Sequence, residues 1–199
     1  MVRGRAATLD LKALRMKNTV IVFARAPRLG TVKRRLARDT GDRAALRFHS
    51  ATLTTLLRSL RKDRRFRTVL AMTPDRAIPK DIPQGRGDIG QRMDRACRRF
   101  KKGNVLIIGC DIPDANAADA RAAFKALGRA GAVFGPAEDG GYWLVGMGPR
   151  RPARPFANAR WSTEHALSDT LANFAGRKVA CVRTLRDVDT AADLPSGRR

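Results

Sequence analysis

Three groups of carboxylates, each just after a short apolar run, are the side chains of this chain best suited to chemistry. The first closes V-L-I-I-G-C-D-I-P-D, residues 105–114, where aliphatic residues stop at Gly109 and give way to Asp111 and Asp114. A run of this kind, between a basic helical stretch and an alanine-rich one, predicts a buried parallel strand. The C-terminal end of such a strand is where an α/β sheet places ligands. Gly109 permits close backbone approach, and Pro113 stiffens the turn that aims the carboxylates outward. Oxygen ligands at that mouth suit a divalent cation holding phosphates. The alternative is that the two aspartates begin the next turn or cap the helix near Asn116.

Asp187 and Asp189, in R-D-V-D-T-A-A-D-L, form the second group, and Glu138-Asp139, in G-P-A-E-D-G-G-Y-W, the third. Asp189 is equally placed to cap a short final helix. Gly140 and Gly141 let a ligand lie against the backbone. Each group is weak evidence alone. Their common placement after strands, in a chain with 18 acidic residues against 41 basic ones, points to one site.

Cationic chemistry is offered by R-A-P-R-L-G-T-V-K-R-R. The glycine turn at Gly30 sets Lys33, Arg34 and Arg35 at a helix start, where backbone N–H groups favour phosphate. Arg25 could add a bidentate contact. The competing reading is a solvated basic helix end. Gly30-Thr31-Val32-Lys33 lacks Walker spacing and no G-x-G-x-x-G follows the first strand, which weighs against P-loop and Rossmann enzymes. His49, inside a helical pattern with no partner motif, reads as a packed or half-exposed helix residue rather than a base. Cys97, Cys110 and Cys181 form no C-x-x-C or Cys/His pattern and read as reduced thiols, and Cys110 has no base adjacent in sequence to make it a nucleophile.

The elements that must position these groups alternate. Strand patterns cover residues 19–24, 66–72, 105–109, 132–135, 142–146 and 179–182, and helical patterns cover 33–38, 42–62, 91–100, 117–127 and about 161–174, with a short helical tail. A loop rich in proline and glycine fills 73–90 and another 147–160. Alternation of this kind implies a single three-layer α/β/α sandwich with a mostly parallel mixed sheet. Residues 1–16 read as a disordered basic extension, with Met16 as a possible alternative start, and 17–199 as one domain.

At 199 residues and 43% hydrophobic, the chain can bury a substantial core. No apolar run approaches the ~20 residues of a membrane helix, and the charged N-terminus lacks a secretory h-region, so the cytoplasm is expected. The net charge of +23 raises the question of nucleic acid. The basic residues are spread throughout and aromatics are 6%, so no dedicated nucleic-acid partner is expected. Peripheral contact with anionic surfaces would follow from the same field.

Taken together, F-A-R-A-P-R-L-G-T-V-K-R-R-L-A, G-D-I-G-Q-R-M, G-C-D-I-P-D, G-P-A-E-D-G-G-Y-W-L-V-G, W-S-T and L-R-D-V-D-T-A-A-D-L occur in the order seen in the DUF2064 family, which the chain resembles over about residues 17–194. That resemblance implies a glycosyltransferase-like protein of the nucleotide-diphospho-sugar transferase (GT-A) fold, with a more distant similarity to nucleotidyltransferases. It implies a nucleotide or nucleotide-sugar donor bound by Ala24, Arg25, Gly30, Lys33, Arg35, Gly90 and Asp111. It further implies Mg²⁺ or Mn²⁺ on Asp111 and Asp187, and an acceptor beside Glu138, Gly140, Gly141, Tyr142 and Trp161. Asp111, Asp139 and Lys33 are the expected catalytic groups. Cys110 stands where a serine is frequent, and Arg28-Leu29 replace the more usual residues of the first loop. Sugar transfer, nucleotidyl transfer with release of pyrophosphate, and a non-catalytic anionic-ligand binder are the functions left open.

Overall fold

The computed structural model describes residues 18–194, so the expected extension over 1–16 lies outside the described residues. The chain runs β1 (Asn18–Arg25), α1 (Arg34–Thr40), α2 (Asp42–Lys62), β2 (Arg67–Thr73), β3 (Ile82–Pro83), α3 (Ile89–Arg98) and β4 (Asn104–Gly109). It continues through α4 (Ala117–Leu127), β5 (Ala132–Pro136), β6 (Tyr142–Met147), α5 (Ala166–Ala172) and β7 (Val179–Cys181) to a 3-10 turn at Ala191–Asp193. The strands form one seven-stranded sheet in the order β3-β2-β1-β4-β6-β5-β7. β6 is antiparallel to both its neighbours and the remaining pairs are parallel.

Both faces of the sheet are buried, which is why its central strands read as continuous apolar runs. Along β1, Val20 and Val22 pack with Leu53, Leu56 and Leu60 of α2 and Ala120 and Ala123 of α4. The alternate residues Ile21 and Phe23 pack with Met93 and Ala96 of α3 and, beyond them, Leu167 and Leu171 of α5. The result is the expected α/β/α layering. A fully buried leucine such as Leu60 contributes about 2 kcal/mol by removal from water. Helix α1 packs on α2, where Leu36 and Ala45 enclose Val188 from the far end of the chain. No helix among the described residues is long and apolar enough to cross a membrane.

The register brings the functional ends to one edge. Phe23 of β1 lies opposite Gly109 of β4, so Arg25 and Asp111 emerge side by side. The segment after β7 returns to that edge through an isolated parallel bridge between Ala137 and Leu185, and Val188 N–H donates to Asp111 O at 3.4 Å.

Several elements differ from expectation. α3 begins two residues early because Asp88 and Gln91 form a reciprocal capping box. β3 was read as loop because a two-residue edge strand ending in proline carries no periodicity. α5 starts at Ala166 rather than in the expected stretch 161–164, since residues 161–165 form turns in which Thr163 Oγ1 accepts from His165 N–H.

Candidate active site

At the centre of the strand-end edge lies Lys33. Its ammonium is 3.2 Å from Asp111 Oδ1 and 3.0 Å from Asp189 Oδ1, with the side chain only 5% exposed. Lys33 is the residue preceding α1 and has left-handed backbone, φ 47° and ψ 51°. A non-glycine residue holds that conformation only when its surroundings over-determine it; here the two carboxylates do. Burial works against the Lys33 charge, but Asp111 and Asp189 more than offset it and hold its pKa above the usual lysine value. Burial likewise works against charge on Asp111, yet the His49 ring and the Lys33 ammonium bring its pKa down to about 2.

His49 is buried on α2. Its Nε2 lies 2.9 Å from Arg25 O. A carbonyl can only accept, so Nε2 carries a proton, while Nδ1, which has no hydrogen-bond partner, faces Asp111 Oδ1 at 3.8 Å. Neighbouring Cys110 is fully enclosed, and burial together with the Asp111 charge raises its thiol pKa well above normal, so it stays protonated. A nucleophilic cysteine needs the opposite environment.

A cavity of about 510 Å³ opens beside Lys33. Arg25, Lys33, Arg34, Arg35 and Arg92 all line it. Arg92 is set by Gln84, whose Oε1 accepts from Arg92 Nη1 at 2.8 Å. The buried Gln84 amide also donates to Ala24 O at 3.1 Å and Ala71 O at 2.9 Å, tying β1 to β2. Gln84→Leu is therefore expected to lower stability by about 2–4 kcal/mol, because two buried carbonyls lose a donor and one guanidinium loses its anchor. Chemical denaturation checks this, and an unchanged midpoint would refute the bridging role.

A second cavity, of about 300 Å³, adjoins the first and shares Phe23, Ile89, Asp111 and Ser162 with it. Asp139, Asp187, Tyr142 and Trp161 line it as well. Asp139 Oδ1 accepts from Gly141 N–H at 2.9 Å, which fixes the turn between β5 and β6. Tyr142 and Trp161 meet edge to face, with centroids 6.4 Å apart. Burial, then the charges of Asp189 and Asp139, push the Asp187 carboxyl above the usual range.

The structure thus brings Ala24, Arg25, Lys33, Arg35 and Asp111 to one cavity and Asp111, Asp139, Gly141, Tyr142, Trp161 and Asp187 to the other. Other expected site residues do different work. Gly30 turns the chain at φ +71° without lining either cavity. Gly90 is a packing position, since a Cβ there would lie 2.6 Å from Trp161. Gly140 packs on the backbone of Glu164, and Glu138 is exposed outside both cavities. Asp114 is exposed too, and the α4 cap is made by Asn116. Asp189 does not cap the final turn: that is done by Thr190 and Asp193, which frees Asp189 for Lys33 and for Arg35 at 3.4 Å. Sequence reasoning did not identify His49, Gln84 or Arg92 as site residues. The polar Gln84 between Pro83 and Gly85, in an otherwise breaker-rich loop, was the available signal.

Two donor sets could hold a metal. His49, Cys110 and Asp111 offer ligand atoms within 4.8 Å of one another. That trio mixes a soft thiol with imidazole and a carboxylate, a set less suited to a hard cation that holds phosphates. Asp111, Asp139 and Asp187 suit a hard cation by donor type, although among the described residues only the first trio has all its ligand atoms within 4.8 Å of one another. They are hard oxygen donors on one cavity, and among the described residues neither Asp139 nor Asp187 has a cationic partner within ion-pair distance.

Comparison with known proteins bears on the family and the fold. The DUF2064 family, described as "Uncharacterized protein conserved in bacteria", matches residues 23–163. A crystal structure of a candidate nucleotide-diphospho-sugar transferase from Desulfovibrio desulfuricans G20 superimposes with a TM-score of 0.82 at 26% identity, over 89% of this chain and 84% of that one. The fold is accordingly of the nucleotide-diphospho-sugar transferase type. Rv0371c from Mycobacterium tuberculosis H37Rv aligns at 18% identity over 89% of this chain and 95% of that one, with a TM-score of 0.43. No curated protein matches the chain.

Proposed function

Since this chain belongs to the DUF2064 family, whose fold it shares with a candidate nucleotide-diphospho-sugar transferase, we propose that it is a metal-dependent transferase acting on a nucleotide-diphospho-sugar. The observation that carries this reading is the division of charge between the two cavities. Arginines and Lys33 line the larger one together with Asp189, the charged groups lining the smaller are all carboxylates, and Asp111 stands on both. Donor phosphates belong with the first group and the reacting bond at the junction.

Asp111 and Asp187 would hold Mg²⁺ or Mn²⁺, which when bound neutralises negative charge on the departing nucleoside diphosphate. The chain's own groups do the rest. Lys33, fixed by two carboxylates, supplies positive charge that need not reorganise during reaction. Arg25, Arg35 and Arg92 bind and orient the phosphates. Asp139, at the opposite wall, orients the acceptor hydroxyl and takes its proton. Nucleotidyl transfer is the second reading, favoured by the buried Lys33, which would grip a triphosphate.

One assay separates the two. The protein is incubated with Mg²⁺ and either nucleotide-sugars or nucleoside triphosphates, and the released product is identified as nucleoside diphosphate or pyrophosphate. Nucleoside diphosphate is the expected product. Nucleotide binding that ignores Mg²⁺ and collapses with salt would instead support a non-catalytic anion binder.

The same preparation yields a pH prediction. Asp187 holds its proton to higher pH than an ordinary aspartate, so metal and proton compete there, and Mg²⁺ affinity should fall as pH is lowered through that raised pKa. Asp111, with a pKa of about 2, stays ionised across the same range. Calorimetric Mg²⁺ titration between pH 4 and 8 reads this directly. Flat affinity would remove Asp187 from the metal site.

A further inference from the structure

The smaller cavity departs sharply from the rest of the molecule in one respect. About one residue in five of this chain is Lys or Arg, yet no Lys, Arg or His is found among the described residues that line this cavity. Its charged groups are the three carboxylates Asp111, Asp139 and Asp187, and its remaining wall is largely apolar, with Phe23, Ile89, Met93 and Val145 beside the rings of Tyr142 and Trp161. The larger cavity, a few ångströms away across Asp111, concentrates five cationic side chains.

We propose that this cavity selects an uncharged, polyhydroxylated acceptor about the size of one sugar ring and rejects phosphorylated or carboxylated ones; the assignment rests on the transferase reading above. The reasoning is electrostatic. Asp111 is already paired with the Lys33 ammonium at 3.2 Å, and one divalent cation would offset the charge of Asp139 and Asp187, so the loaded cavity is close to neutral and its lining offers no cationic side chain to an anion. A phosphate placed there would be desolvated with no cationic side chain in the lining to pair with it. A hydroxyl, by contrast, can donate to Asp139, and the C–H faces of a small ring can bury against Tyr142 and Trp161. An ammonium fits less well, because a cation on Asp111 and Asp187 would repel it. The volume of about 300 Å³ is at the small end of ligand pockets, which sets the size limit at a monosaccharide or comparable polyol.

The test is calorimetry on the intact protein with Mg²⁺ and a saturating nucleoside diphosphate. Methyl glucoside, glycerol and inositol are each titrated beside their monophosphates, with glucosamine as the cationic probe. At least one neutral ligand should bind about 10-fold or more tighter than its monophosphate. Thr163→Lys, which adds an ammonium to the cavity wall, should narrow or reverse that preference, whereas Thr163→Gln, of similar length and uncharged, should not. Equal or tighter binding of a monophosphate by the unmodified protein, preference for glucosamine, or failure of every probe while the nucleoside diphosphate binds would each overturn the proposal. Failure of the nucleoside diphosphate itself to bind with Mg²⁺ would instead remove the donor reading, and the acceptor assignment with it.

Discussion

Asp111→Ala should lower transfer turnover by about 10²-fold or more while leaving a folded protein. The size follows from the several kcal/mol that a bound cation contributes at a developing phosphate charge. Asp111 is the carboxylate common to both cavities, and its pKa of about 2 keeps it available as an anion at any working pH. Folding should survive because Lys33 keeps Asp189, 3.0 Å away, and because half of the Asp111 side chain is exposed. Steady-state kinetics alongside thermal unfolding separate the two effects. Full activity in the folded variant would end the metal role assigned to this residue.

Gly140→Ala is expected to be the most damaging single-methyl change at the site. Gly140 has φ +83°, and an added Cβ would run into the Glu164 carbonyl and its Cα, backbone atoms that cannot swing aside. Its own carbonyl accepts from Leu167 N–H at 3.1 Å, so the turn is pinned to the start of α5. Backbone strain of about 1–2 kcal/mol plus this overlap should cost roughly 3 kcal/mol in all, or about 6–12 °C in Tm. Activity should fall too, since Asp139 is the preceding residue. Gly176→Ala provides the contrast. Its φ is +73° but nothing lies within 4 Å, so strain alone remains and about 1–2 kcal/mol is expected. Equal losses at the two positions would refute the packing argument.

Much of the frame was legible because burial on both faces of a parallel sheet leaves short continuous runs such as T-V-I-V-F-A and V-L-I-I-G, whose length, β-branched content and flanking glycine or proline mark them as strands. The ends of those runs mark the ligand edge, so Asp111, Asp139 and Asp187 could be singled out together. Side-chain direction was not legible. His49 has the spacing of any buried helix residue, and nothing local shows that its ring meets Arg25 O and Asp111. Asp187 and Asp189 are two apart, a spacing that would put both on one side of an extended segment, yet Asp187 lines the smaller cavity and Asp189 the larger, and which one meets Lys33 depends on how residues 185–189 dock on Pro136 and Asp111. Gly90 and Gly140 illustrate the converse: glycines inside motif-like stretches can serve close packing against Trp161 and Glu164 rather than contact with a ligand.

The ammonium of Lys33 and its partner Asp189 are separated by 156 positions in the chain. During translation the first half of the sheet can therefore emerge from the ribosome and begin to collapse while this lysine still has no counter-charge from the tail. The nascent protein should keep α1 loosely docked until the last strand and the segment after it are made, and only then lock. Assembly of the site would be among the final events of biosynthesis, and a ribosome-stalled chain ending before Asp187 should present the larger cavity with its lysine held by Asp111 alone.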